Sequence, residues 1–303
     1  MFNHYPVFYI ESPFQLLQVH EVIQLKEINQ YKILIKLNEN SVNNNQMKAL
    51  VIFFNLDNVT YYRFSSLLTI VFDIYSITNK CLFAASLYVG DHNSPVFWLL
   101  KPIFSKSRTT LMDDGVGTII DGRQLGYSRF SIFNGLNDPT IVNNFDALSK
   151  KMTANQYKVV DIILGGKLVE TGISTLNDYL DMIESMLIFI KLRSSRDILY
   201  IAHRGEEIIN LNIIEKKFGL EVIRPTFPAE LIAEELKVRP NLIGTVLSTA
   251  VFSMSKIYNK SRFFILKPKE GCVKQRKKYI DSLFDYIDKY TEHQVIEMDR
   301  LEH

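Results

Sequence analysis

The densest chemistry in this chain lies in Leu111-Met112-Asp113-Asp114-Gly115-Val116-Gly117-Thr118. Two carboxylates follow an apolar, β-prone run, Thr109 to Met112, and precede a glycine-rich turn. That is the pattern of a buried strand ending in a tight turn. In an open α/β sheet, ligands sit beyond the carboxyl ends of the strands. A carboxylate there is placed to act as a base. Adjacent like charges also tend to raise the pKa of at least one partner. Asp and Gly are ordinary turn residues as well, so the motif gains meaning only from its company.

Further candidates stand at other strand ends. His203 closes the run Asp197–Ala202 and adjoins Arg204. An Arg fork and a His that donates one hydrogen bond or a proton suit a phosphate. Glu206 reads as a cap on the helix that follows. Ser248-Thr249 sits at a strand-to-helix junction, where free backbone N–H groups bind anions or where a hydroxyl simply caps the helix. Glu230 opens another helix; it suits ribose hydroxyls or the helix dipole. No Gly-x-Gly-x-x-Gly, no phosphate-binding loop with Lys and Ser or Thr and no Gly-x-Ser-x-Gly elbow occurs. No His/Cys cluster suggests zinc, and the Asp113-Asp114 pair lacks an Asp-x-Asp companion, so no metal is expected.

These residues need strands to carry them. Val7–Ile10 is a short apolar run, followed by Glu11-Ser12-Pro13 and a helical pattern over Phe14–Leu25. Ser12 can cap and Pro13 can take the first turn. Strands are expected at Lys32–Leu37, Val59–Phe64, Leu87–Gly90 and Thr109–Met112. Helices are expected at Gln46–Asn55, Ser65–Asn79 and Pro95–Phe104, with an Asn-rich loop over Asn38–Asn45. Asp121–Asn144 reads as irregular, and Asn155–Leu164 as helix or strand. A helical period follows at Leu176–Lys191. Then come strands at Asp197–Ala202, Glu221–Arg224, Leu242–Leu247 and Arg262–Leu266. They alternate with helices at Glu207–Phe218, Pro228–Leu236, Ser248–Tyr258 and Val273–Tyr290, and Gly219 ends one of them. Alternation at this spacing implies parallel sheets. The expected fold is α/β, with two Rossmann-like domains facing a cleft. The domains are placed at residues 1–150 and 151–300, joined near 145–165, with 301–303 as a tag remnant. A nucleotide and a second substrate would meet in the cleft.

Composition agrees with a globular, ordered chain. The 303 residues are 47% hydrophobic, with 20 Phe and 15 Tyr, enough for a sizeable core. The 35 basic and 33 acidic residues nearly cancel, leaving +2, which argues against a nucleic-acid partner. Cys81 and Cys272 form no metal or disulfide framework, so a reducing cytoplasm is expected. Residues 1–9 carry no signal-peptide pattern. Leu67–Ile77 and Val96–Phe104 are apolar but too short or too polar to span a bilayer. A basic patch, Lys267, Lys269, Lys274, Arg276, Lys277 and Lys278, suits peripheral contact with an anionic membrane, or is a solvated helix end.

Together the motifs resemble the bacterial sialyltransferases, most closely glycosyltransferase family 52, which acts on lipooligosaccharide or capsule. Glu11-Ser12-Pro13-Phe14-Gln15-Leu16-Leu17 is similar to that family's Ser-Pro-x-Gln-Leu pattern. Asp113-Asp114-Gly115 is similar to the acidic-acidic-Gly motif, His203 to the His of a His-Pro motif, and Ser248-Thr249 to a Ser-Ser/Thr motif. The matches span residues 8–255. Arg204 stands where related families have Pro. The resemblance implies a GT-B-type fold, a CMP-sialic acid donor and metal-independent inversion. It implies a galactose-terminated acceptor on a surface glycan, with no cofactor. Asp114 is the expected base, with Asp113 as its alternative or support. His203 is expected to be catalytic as well, stabilising or protonating the leaving CMP phosphate. His203, Arg204, Glu230, Ser248, Thr249 and Gln15 are expected to bind the donor, with Gln15 near the donor or the acceptor sugar. Competing expectations are another nucleotide sugar (a different CMP-linked nonulosonic acid, or a UDP-hexose), a metal-dependent phosphohydrolase, and a non-catalytic glycan-binding protein. The oligomeric state, a homodimer included, stays open.

Overall fold

The computed structural model describes residues 5–115, 117–121, 125–155 and 157–298, with the backbone alone at 120 and 121. The chain divides into two compact units, Met1–Ala147 and Leu148–His303.

The first unit is a seven-stranded parallel sheet in the order β3-β2-β1-β4-β5-β6-β7. Its strands are β1 (Pro6–Ile10), β2 (Lys32–Lys36), β3 (Val59–Tyr62), β4 (Ser86–Val89), β5 (Thr109–Met112), β6 (Ser128–Ser131) and β7 (Thr140–Val142). The helices are α1 (Pro13–Leu25), α2 (Ser41–Phe53), α3 (Leu67–Cys81), α4 (Pro95–Leu100) and α5 (Gly117–Asp121); α6 (Asp146–Thr153) begins as the unit ends. Val7, Phe8, Tyr9 and Ile10 are all buried. A strand covered on both faces needs such an unbroken apolar run. One side of the sheet is filled by Tyr9, Leu34, Ile77, Cys81, Val96, Phe97 and Leu100.

The second unit is a six-stranded parallel sheet in the order β10-β9-β8-β11-β12-β13. Its strands are β8 (Lys158–Leu164), β9 (Ile198–Ile201), β10 (Glu221–Ile223), β11 (Val238–Thr245), β12 (Arg262–Lys267) and β13 (Gln294–Glu297). Its helices are α7 (Leu176–Lys191), α8 (Ile208–Phe218), α9 (Ile232–Leu236), α10 (Ala250–Ile257) and α11 (Lys277–Tyr290). Gly219 ends α8 in the left-handed region, at φ 62°. In each unit the strand order reverses once, between β1 and β4 and between β8 and β11. The strand ends beside such a reversal are where open α/β sheets bind ligands.

Several elements differ from expectation. The Asn-rich stretch is a helix start: Asn40 caps α2, its side chain accepting from the Asn43 N–H. The irregular stretch 121–144 holds β6 and β7, two strands of four and three residues. They are tied by buried Asp138, which accepts from Arg129 Nε at 2.9 Å and from the Leu125 and Gly126 amides. Residues 122–124 of that stretch lie outside the described residues. The ambiguous segment 155–164 carries strand β8 from Lys158 to Leu164, and residue 156 lies outside the described residues. Helix α4 stops at Leu100: Lys101 still has helical angles and donates to the Phe97 carbonyl, but Pro102 has no N–H to continue the ladder. The last helix begins at Lys277 rather than Val273, because Arg276 takes φ 58°. Pro228–Leu236 is a 3₁₀ turn (Ala229–Leu231) followed by the short α9. Strand β11 begins before Leu242 and contains Pro240, which cannot donate to the ladder. Its register shifts between Pro240 and Ile243, and buried Asp161 accepts the Leu242 N–H at 3.0 Å. The tag remnant expected at 301–303 lies outside the described residues.

Candidate functional site

In the first unit the site grows from the ends of β1, β4 and β5, which are neighbours in the sheet. Ser12 caps α1 by accepting from the Gln15 N–H, and Pro13 takes the first turn. This fixes Gln15 at the mouth of β1. Its Oε1 accepts the Glu11 N–H at 2.8 Å, so its Nε2 faces the other way and donates to Asp114 Oδ1 at 2.9 Å. Gln15 is 1% exposed. Its amide thus bridges the Glu11 N–H and the Asp114 carboxylate. The room for this comes from Gly90 at the end of β4. A Cβ there would lie 2.0 Å from Gln15 Cδ.

The two aspartates differ. Asp114 is exposed, and its N–H donates to Thr118 Oγ1 at 2.9 Å. Gly115 then turns the chain at φ 67°. Asp113 is buried and fully used. Its carboxylate accepts from Ser131 Oγ at 2.6 Å and from the Ile132 N–H at 2.8 Å. Gln18, one turn beyond Gln15, holds its backbone from both sides at 2.9 Å. Burial pushes the Asp113 carboxyl up to about 7, against the hydrogen bonds from Ser131 and Ile132 and the charge of Arg129; the neighbouring Asp114 adds a small upward push. The pair thus presents one solvent-facing carboxylate and one internal brace. Glu11 braces the same rim, its Oε1 taking Tyr9, Lys36 and Ser94, each at 2.9 Å.

In the second unit the corresponding loops follow β8, β9 and β11. His203 follows β9. Its Nδ1 accepts the Gly205 N–H at 3.0 Å, which places the proton of the neutral ring on Nε2. Burial, then Arg204 and Lys167, lower its pKa to about 4. The ring is therefore a neutral N–H donor near neutrality. Under the loop lies a buried network. Glu206 Oε2 accepts the His203 N–H at 2.5 Å, its Oε1 accepts from Tyr200 Oη at 2.5 Å, and Tyr200 meets Tyr179 Oη at 2.8 Å. Tyr179 Oη also accepts the Gly166 N–H at 2.9 Å. Glu206 is thus the keystone of the His203 turn rather than a cap on α8. Burial raises its carboxyl to about 7. Gly165 is required beside it, since a Cβ there would lie 2.2 Å from Glu206 Oε2.

Lys167 is exposed next to His203; a Cβ on Gly205 would lie 3.3 Å from both Lys167 Cδ and His203 Nδ1. Past β11, Ser248 Oγ accepts the Ala250 N–H at 3.4 Å, and Thr249 occupies the cap position of α10 without a side-chain cap. Glu230 is buried, with Oε1 accepting from Ser253 Oγ at 2.7 Å. Burial raises its pKa, while Ser253 and the nearby Arg204 charge oppose the rise. Glu230 is thus held against α10 through Ser253, with the Arg204 charge nearby. An open basin of about 1020 Å³ lies where β8, β9 and β10 begin, lined by Lys158, Arg196, Phe218 and Leu236, and includes none of these residues. Among the described residues, no three His, Cys, Asp or Glu side chains gather as a metal-ligand set.

Sequence reasoning singled out Asp113, Asp114, His203 and Gln15, but not the residues that hold or flank them, Gln18, Ser131, Tyr179, Tyr200, Gly165 and Lys167. Gln18 had a signal, standing three residues after Gln15 and so on the same helix face. Gly165-Gly166-Lys167 had one too, directly after an apolar strand.

No family model matches the sequence, and no curated protein matches it. The fold does match solved structures. It is the two-domain GT-B fold. The α/β-galactoside α-2,3-sialyltransferase of the luminous marine bacterium Photobacterium phosphoreum aligns at TM-score 0.55 and 11% identity, over 98% of this chain and 100% of that one. The GT-B domain of a Photobacterium damselae sialyltransferase aligns at TM-score 0.50 and 12% identity, over 96% and 99%. A UDP-GlcNAc 2-epimerase from Methanocaldococcus jannaschii aligns at 0.52 and 12%, over 95% and 92%. Such a fold hosts more than one reaction, so the activity must be argued from the site.

Proposed function

We propose that this chain is an inverting glycosyltransferase that moves sialic acid from CMP-sialic acid to a hydroxyl of a galactose-terminated surface glycan. The observation that carries the reading is Asp114, an exposed carboxylate at a strand end, aimed by a buried Gln15 amide. Asp114 takes the proton of the acceptor hydroxyl. The freed oxygen attacks the anomeric carbon of sialic acid as the bond to the CMP phosphate oxygen breaks. The electron pair leaves on that oxygen, and configuration inverts. The leaving phosphate gains negative charge, which the His203 Nε2–H and the Lys167 and Arg204 cations stabilise. Ser248 and Thr249 add donors beside the start of α10. Asp113 shapes the turn that presents Asp114, and Glu230 steadies Arg204. A one-phosphate leaving group has no diphosphate to neutralise, so the reading needs no metal. The acceptor belongs to lipooligosaccharide, O-antigen or capsule, and transfer takes place in the cytoplasm.

Nucleotide binding tests the donor half. Calorimetry should show CMP binding more tightly than UMP or GMP, and Lys167→Ala with Arg204→Ala should weaken it by about tenfold or more. Tighter binding of a uridine or guanosine nucleotide would move the donor to a UDP- or GDP-sugar.

A further inference from the structure

Helix α3, Leu-Leu-Thr-Ile-Val-Phe-Asp-Ile-Tyr-Ser-Ile-Thr-Asn-Lys-Cys, is apolar on both sides. One side, Ile77 and Cys81, is buried against the sheet with Val96, Phe97 and Leu100 of α4. The other side is open. Leu67, Leu68, Val71, Phe72 and Tyr75 are 64 to 84% exposed. Leu68, Val71, Phe72 and Tyr75 follow the i, i+3, i+4, i+7 spacing, so they form one stripe. Leu82 and Phe83 just beyond the helix, and Trp98 on the neighbouring α4, are more than half exposed as well. A helix apolar all round normally sits in a core or a membrane. Five to eight exposed large side chains exceed the scattered apolar residues of an ordinary surface. No helix among the described residues is long and apolar enough to cross a membrane, so α3 is not a span.

Charge points to the occupant. Residues 60–108 hold five cations, Arg63, Lys80, Lys101, Lys106 and Arg108, against two carboxylates, Asp73 and Asp91. Both carboxylates accept backbone amides, Asp73 from Phe64 and Asp91 from Asn93. Arg63 and Lys101 are exposed, and Lys101 Nζ lies 4.5 Å from the centre of the Trp98 ring. Aliphatic side chains flanked by Trp, Tyr and exposed cations match the boundary between acyl chains and anionic headgroups. A second copy docked on the same face would bring five cations against only two carboxylates from each side.

We propose that the exposed face of α3, with Trp98 and Lys101, seats the first unit on an anionic lipid surface. The inference stands apart from the reaction proposed above. It also places lipid contact elsewhere than the basic stretch 267–278, where Lys274 pairs with Asp178 and Lys277 with Glu270.

Trp98 is the one tryptophan in the chain and so reports directly. The full chain is titrated with vesicles of phosphatidylcholine, with and without phosphatidylglycerol, at low salt, following Trp98 emission and cosedimentation. The expected result is a blue shift and cosedimentation with the anionic vesicles, tighter by about tenfold or more than with phosphatidylcholine alone, since each cation at an anionic surface is worth roughly a factor of five. Phe72→Glu with Tyr75→Glu should abolish both while leaving CMP binding and the melting temperature unchanged, because the replaced side chains are exposed. Lys274→Ala with Lys277→Ala should leave both intact. No shift with either vesicle overturns the proposal. So does loss of binding in the Lys274/Lys277 variant alone, or a lipid-independent dimer that the Phe72/Tyr75 variant dissociates.

Discussion

Gln15 Nε2 donates to Asp114 Oδ1 at 2.9 Å across 99 positions of sequence. Its polarity is not free, because the same amide takes the Glu11 N–H through its oxygen. Gln15→Glu would set a carboxylate against Asp114, and Gln15→Leu would remove the hydrogen bond to Asp114 Oδ1. Both should lower kcat by on the order of 10 to 100-fold with little change in donor KM, since a positioned base loses its alignment. Asp114→Asn should cost more, about 10²- to 10⁴-fold in kcat. Steady-state kinetics of the three variants checks this. Equal turnover in wild type and Asp114→Asn would remove Asp114 as the base.

Gly90 should be irreplaceable for the same reason. Gly90→Ala puts a Cβ 2.0 Å from Gln15 Cδ, forcing the amide away from Asp114. A loss of about 1–3 kcal/mol in urea unfolding is expected from overpacking, with a matching fall in kcat. Gly117→Ala meets nothing within 4 Å and should stay within about 0.5 kcal/mol of wild type.

Glu206 and His203 should leave opposite marks on stability against pH. Glu206 rises from 4.5 to about 7 in the folded chain, so the native state holds the extra proton between those values. Its contribution is present below pH 4.5 and is lost as pH rises through about 7. Glu206→Gln should erase that slope, worth at most about 3 kcal/mol. His203 falls from 6.5 to about 4, so its contribution is present above pH 6.5 and is lost as pH falls toward 4. Chemical denaturation at a series of pH values, comparing each variant with wild type, separates the two.

A neutral His203 also shapes the rate profile. The kcat/KM of the free enzyme should show no His ionisation near 6.5, because the ring has already lost its proton. His203→Ala should lower kcat by about 10²- to 10³-fold, the loss expected on removing one preorganised donor to developing negative charge. A proton NMR titration of the His203 ring that gives a midpoint near 6.5 would contradict the buried, donor-only ring.

The sheets were legible because parallel strands leave unbroken apolar runs such as Val7–Ile10 and Ile198–Ala202. The ends of the sheets were not. β6, β7 and β13 are only three or four residues each, too short for a period to show. The first residues of β11 hide behind Pro240, and where the register then shifts the Leu242 N–H goes to Asp161, 81 positions away. The aspartate motif was legible as a strand-end turn, but not the division of labour within it. That division rests on Ser131, Ile132 and Gln18, which reach Asp113 from another strand and another helix. The keystone role of Glu206 likewise depends on Tyr179 and Tyr200, set on α7 and β9. Side chains that converge only through tertiary packing carry no local sequence signal.

The most direct test of the proposed activity is CMP release from CMP-sialic acid, with and without a galactoside acceptor, in the presence of EDTA. Wild type should show acceptor-stimulated release that survives EDTA, and Asp114→Ala and His203→Ala should each abolish the stimulation. Release that requires a divalent metal, that persists in both variants, or that occurs only with another nucleotide sugar would contradict the account.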